Sequence, residues 1–143
     1  MSRAAFLVYA GAVALVVLLT GRMAIISGMD VIEGRPLQAQ ALASAGLAIA
    51  TLGPLALSAA IWLGQRRFKA GWLLHILFIP CAIILFNAGS SMLLGAANVP
   101  DDDSAEGYAL GTGILLLALT ILIHVGALVA RGIAAADRWD SRS

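Results

Sequence analysis

None of the eight acidic residues in this 143-residue chain falls inside a long apolar run. Proton-coupled transport commonly switches a buried carboxylate between charged and neutral forms, so that device is missing here. The single cysteine, Cys81, excludes an internal disulfide. No HExxH, G-x-S-x-G or Walker loop is present, and no cysteines are paired, so neither a catalytic residue nor a metal ligand set can be assigned. Charge itself is scarce, at 12% of residues against 61% hydrophobic. With a mean hydropathy of +0.95, this composition excludes a soluble domain, which needs far more charged surface.

What is present is length of hydrocarbon. Four runs, roughly 4–26, 40–64, 70–96 and 107–130, each reach the roughly 20 residues a bilayer crossing takes. They are continuous rather than alternating and rich in Ala and Leu, which predicts helices rather than barrel strands. A helix also satisfies every backbone group within its own segment. The expectation is therefore an all-α integral membrane protein, a four-transmembrane-helix bundle forming one membrane domain over residues 1–143. The first run follows Arg3 but is long and lacks a small-x-small cleavage site, so it reads as a retained span.

Basic residues are distributed unevenly. Arg66, Arg67 and Lys69 lie between spans two and three, Arg3 precedes span one, and Arg131, Arg138 and Arg142 follow span four. The connection after span three instead carries Asp101, Asp102, Asp103 and Glu106. The positive-inside rule then predicts both termini on the cytoplasmic side of a bacterial-type inner membrane. Trp62, Trp72 and Trp139 would all sit near that interface, where indoles are favoured. So strong a bias also argues against a small exporter that inserts in both orientations. Arg22, at the outer end of span one, is expected to snorkel to the headgroups, with pairing to Asp101, Asp102 or Asp103 as the sharper reading. The aspartates themselves read as a solvated loop rather than a calcium site, since the spaced ligands and glycine turn are missing. Ser104 with Glu106 reads as a helix entrance.

Small residues mark where helices could meet. In span two, Ser44, Ala48, Ala56, Ala60 and Gly64 form a stripe, and Gly107 with Gly111 forms a GxxxG pair in span four. We expect both to serve packing within the bundle, the other use being a membrane-protein partner or a homo-oligomer. Pro54 and Pro80 are expected to kink spans two and three.

Span three keeps polar groups despite its hydrophobicity. At 100° per residue His75, Asn87, Ser90, Ser91 and Pro80 share one arc, which predicts that this face looks into the bundle. Asn87 and the serines read as hydrogen-bonding glue there, while Cys81 points elsewhere and behaves as a small hydrophobe. In span four, Thr120 and His124 lie on one stripe with Gly113 and Arg131, and a hydroxyl such as Thr120 could satisfy His124. His75 and His124 fall at nearly equal depth. Two such histidines could be axial ligands of one b-type haem, with Arg66, Arg67, Lys69 and Arg131 near its propionates. A second histidine pair is lacking, which excludes a two-haem relay.

Three readings of function result. The leading one is a non-enzymatic accessory, assembly or interaction component of a membrane complex, binding no nucleic acid and needing no cofactor. The second is a single-haem electron carrier using His75 and His124. The third is a small uncoupled channel or transporter along His75, Asn87, Ser90, Ser91 and Thr120.

Overall fold

Four helices, each long and apolar enough to cross a membrane, make up the architecture, and no strand occurs among the described residues. The computed structural model describes residues 3–97 and 104–141, with side chains placed for 4, 7–96 and 110–141. The helices are α1 (Arg3–Ile32), α2 (Leu37–Gly64), α3 (Trp72–Ala97) and α4 (Ser104–Asp140), with a 3-10 turn at Gln65–Arg67 after α2. Asp101 to Asp103, and so the alternative pairing of Arg22 and the acidic-loop reading, lie outside the described residues. So do the side chains of Glu106 and Gly107.

Two helices run further than the apolar runs that mark them. α1 continues to Ile32 because its last turn is not a solvent fringe: Val31 and Ile32 are buried against Ala43, Leu47 and Leu93. It stops where Gly34 takes φ +79°, a left-handed conformation that glycine adopts without a Cβ penalty. Pro36 follows, cannot continue α1, and precedes the first residue of α2. The Gln40 amide closes this turn by donating to the Arg35 carbonyl at 2.6 Å. α4 runs ten residues past the end of its apolar run. That stretch is exposed throughout but rich in alanine and free of proline, so nothing in it ends the helix.

The bundle is two tight pairs, α2 with α3 and α1 with α4, and α3 packs on α4 to join them. The α2–α3 seam is the closest. A Cβ on Gly46 would stand 2.6 Å from the Gly89 carbonyl oxygen, and one on Gly89 would stand 2.4 Å from the Ala50 nitrogen. Backbone therefore meets backbone, which accumulates dispersion contacts where lipid supplies no hydrophobic drive between helices. Nearer the 3-10 turn the same seam is filled by Ile61, Phe78 and Ala82, with Leu57, Leu74, Leu117 and Ile121 around them.

This corrects the expected packing stripe. The buried face of α2 is Ala43, Gly46, Leu47, Ala50, Thr51, Pro54, Ser58 and Ile61. Ser44, Ala48, Ala56 and Ala60 point away from the protein interior. Gly111 likewise has no atom of a neighbouring element near its Cβ position. Small residues were the right signal, but Gly46 and Gly89 carry the contact. Both prolines lie within continuous helix, Pro54 buried and Pro80 exposed.

Candidate functional site: a buried chain of four polar side chains

At the end of the bundle that bears Arg66, Arg67 and Lys69, four side chains from three helices and one turn join in series. α3 supplies His75 in its first turns, and α4 supplies His124. The two rings meet with Nδ1 facing Nδ1 at 2.7 Å. His75 Nε2 lies 2.8 Å from Gln65 Oε1, in the 3-10 turn, and His124 Nε2 lies 2.8 Å from Ser58 Oγ, in α2. His75 is 4% exposed and His124 is fully buried.

Aromatic rings wall the pair. Phe78 stacks on His124 with centroids 3.8 Å apart, and Trp62 meets His75 edge-on at 5.0 Å. Trp62 thus covers the pair on one side.

Hydrogen-bond logic gives the chain one direction. Gln65 Nε2 lies 3.4 Å from the Trp62 carbonyl, which only an N–H can satisfy, so Oε1 is the acceptor facing His75. His75 must then donate from Nε2, which leaves its Nδ1 as acceptor. His124 donates to it from Nδ1, and its own Nε2 accepts the Ser58 hydroxyl proton. With both rings neutral, every donor in the series has an acceptor, and a single proton lies between the two Nδ1 atoms. The opposite direction would turn Oε1 of Gln65 toward the Trp62 carbonyl, acceptor against acceptor. His75 is accordingly expected to be the Nε2–H tautomer and His124 the Nδ1–H tautomer. Nitrogen-15 NMR of the histidine rings in lipid checks this: two unlike neutral tautomers are expected, and two Nε2–H rings would contradict the chain.

The other buried hydroxyls are closed on their own helices. Thr20, Thr51 and Thr120 each donate to the carbonyl four residues back, at 2.8, 2.7 and 2.7 Å. Thr120 therefore does not serve His124, contrary to expectation; Ser58 does. Among the described residues no buried side-chain nitrogen or oxygen lacks a hydrogen-bond partner.

Of the polar face expected on α3 and α4, only part looks inward. His75 and Thr120 are buried and Ser90 is half-buried, but Asn87 and Ser91 are exposed on the outer side of α3. The arc that these residues share is too wide to face one interior: the buried side of α3 centres on Phe78, Ala82, Phe86 and Leu93. Two members of the site, Ser58 and Gln65, went unread. Ser58, Trp62 and Gln65 follow a spacing of four and three, one helical face leading to the basic turn, and that spacing was the available signal.

The pair as arranged is closed upon itself. An iron between two imidazole nitrogens holds them about 4 Å apart, with a macrocycle between the rings. Here the facing nitrogens are at 2.7 Å and the ring centroids at 5.0 Å, so a haem would require the rings to part. Arg66, Arg67, Lys69 and Arg131 are exposed at this end. Elsewhere, a concavity of about 340 Å³ opens between α1 and α4, lined by Val13, Val17, Leu119 and Ile123 with Tyr9. Its walls are apolar, the shape of a hydrocarbon contact rather than of a reaction site. No protein-family model matches this chain, and no curated protein or solved structure does so either.

Proposed function

We propose that this chain is a non-enzymatic four-span membrane protein that works by docking to another membrane-embedded chain, as an accessory, assembly or interaction component. In this reading it sits in a bacterial-type inner membrane with both termini cytoplasmic. One observation carries it. Among the described residues, the six buried polar ones, Thr20, Thr51, Ser58, His75, Thr120 and His124, are already hydrogen-bonded within the protein, so none of these is left aimed at a substrate. The groups left over face outward, on the small-residue stripe of α2 and on the polar face of α3.

On this reading the four-membered chain is an internal staple. Membrane helices gain little from burying apolar surface against one another, so a closed hydrogen-bond series fixes which helices meet and in what register. It ties the 3-10 turn, α2, α3 and α4 together at one end.

The haem carrier remains the second reading, because two histidines do meet at one depth on facing helices. A dithionite-reduced minus oxidised spectrum of protein made with ample haem separates the two. The docking reading expects a featureless trace, unchanged in His75→Ala and His124→Ala. A sharp b-type signal lost in both variants would overturn it. For the channel reading, the series stops at Ser58, since the next buried hydroxyls, Thr51 and Thr120, donate to their own helices. Proton or ion flux above background in liposomes, abolished by His124→Leu, would favour that reading instead.

A further inference from the structure

Asn87 is the polar residue that the fold leaves unexplained. It lies three residues beyond the middle of the membrane-crossing stretch Trp72–Ala96, about 4.5 Å along the helix axis. The hydrocarbon half-thickness is about 15 Å, so the amide stands some 10 Å below the headgroups. Asparagine has one methylene before its amide and cannot snorkel that far. It is exposed on the side of α3 facing away from α2 and α4, and it makes no side-chain hydrogen bond with any described residue. An amide held in hydrocarbon without a partner costs several kcal/mol.

The surface around it is shaped for another helix. Asn87, Ser91 and Gly95 follow at intervals of four along the exposed face of α3, with Ala88 beside them. A Cβ on Gly95 would meet nothing within 4 Å, so its backbone is open to approach. Behind this face the helix is held by the Gly46–Gly89 contact, which presents it rigidly. No charged residue occurs in α3.

We infer that this face binds a second copy of the same chain, α3 against α3, with Asn87 paired to Asn87 across a two-fold axis. The chemistry of the amide suits that occupant. Around a two-fold axis a residue near the centre meets its own copy, so it must complement itself. A primary amide does: each carboxamide donates one N–H to the other's oxygen, giving two hydrogen bonds. A lone hydroxyl forms only one such bond, and a like-charged pair would repel. Ser91 and Gly95 then let the helices stay close toward the far end, and Leu73 and Leu77 pack at the other. A single interfacial asparagine setting the pairing of apolar helices is well founded physically. This inference rests on the docking reading above and names its partner.

The test uses the full chain in liposomes, with two labelled populations followed by energy transfer as protein is diluted into lipid. Wild type is expected to self-associate. Asn87→Leu should weaken the dimer about tenfold, and Asn87→Gln, which keeps a carboxamide, should retain more of it than Asn87→Leu. Because Asn87 is exposed and makes no side-chain hydrogen bond in the fold, both variants should keep the wild-type thermal midpoint as diluted monomers, which separates lost pairing from misfolding. A direct check is Asn87→Cys in a Cys81→Ala background, expected to form a disulfide-linked dimer on oxidation. Wild type monomeric at every dilution, or Asn87→Leu pairing as well as wild type, would overturn the second-copy assignment. If the monomer nevertheless forms an Asn87-dependent complex with a different membrane chain, the docking reading stands without it. With neither, both fall.

Discussion

Gly89→Ala is expected to destabilise the folded bundle by about 3 kcal/mol, at the upper end for overpacking. The reason is where the new methyl would go. Its nearest neighbours would be the Ala50 nitrogen, the Gly46 carbonyl oxygen and the Ala50 Cα, at 2.4, 2.5 and 2.8 Å, and all three are backbone. A flexible side chain can rotate away from such a contact, but a helix backbone cannot. α2 and α3 would have to separate along the seam, losing close contacts over several turns. Gly46→Ala should behave alike, since its methyl would face the Gly89 oxygen and the Leu93 nitrogen, both at 2.6 Å. The opposite sign is expected at Gly11 and Gly126, where a Cβ meets nothing and alanine is the better helix former by up to about 1 kcal/mol. Thermal unfolding in detergent or lipid, followed by helix circular dichroism, measures all four. If Gly89→Ala and Gly11→Ala moved the midpoint equally, the α2–α3 seam as described would be untenable.

The second large effect is at His124. Replacing it with alanine is expected to cost about 3 kcal/mol, and two contributions can be separated by size. Single hydrogen bonds between membrane helices contribute about 0.6 to 2 kcal/mol. Emptying a fully buried ring site costs about as much again or more, because the walls relax only partly. Phe78 would lose its stacking partner at 3.8 Å, and both Ser58 Oγ and His75 Nδ1 would be left without theirs. Ser58→Ala should cost less, about 1 kcal/mol, because it removes one bond and almost no volume. The decisive comparison is a double-mutant cycle. Once His75 is alanine, His124→Ala should cost roughly 1 kcal/mol less than in wild type, because their shared bond is already gone. Strict additivity would show that the two rings do not depend on each other.

Much of the architecture was legible from composition alone. Four continuous apolar runs rich in Ala and Leu imply four helices, because a helix closes its backbone hydrogen bonds within its own segment and a barrel strand would alternate. The loci of the site were half legible. His75 and His124 stood at one depth, and they do meet. Ser58 and Gln65 did not announce themselves, because a serine among alanines and a glutamine before a basic turn have no chemistry until something faces them.

The faces were the part that sequence could not decide. Lipid is as apolar as the interior of the bundle, so hydrophobicity does not distinguish the inward side of a membrane helix from the outward one. Small residues were available on two sides of α2, at Ser44, Ala48, Ala56 and Ala60 and at Ala43, Gly46 and Ala50. Only the second set met a matching glycine, Gly89, on the neighbouring helix. That complementarity belongs to a pair of helices, not to either one. It turned α3 so that His75 faces inward and Asn87 faces outward. The residues determined that four helices are long and apolar enough to cross a membrane; contact between helices decided where α1 ends and which polar groups are satisfied within the chain.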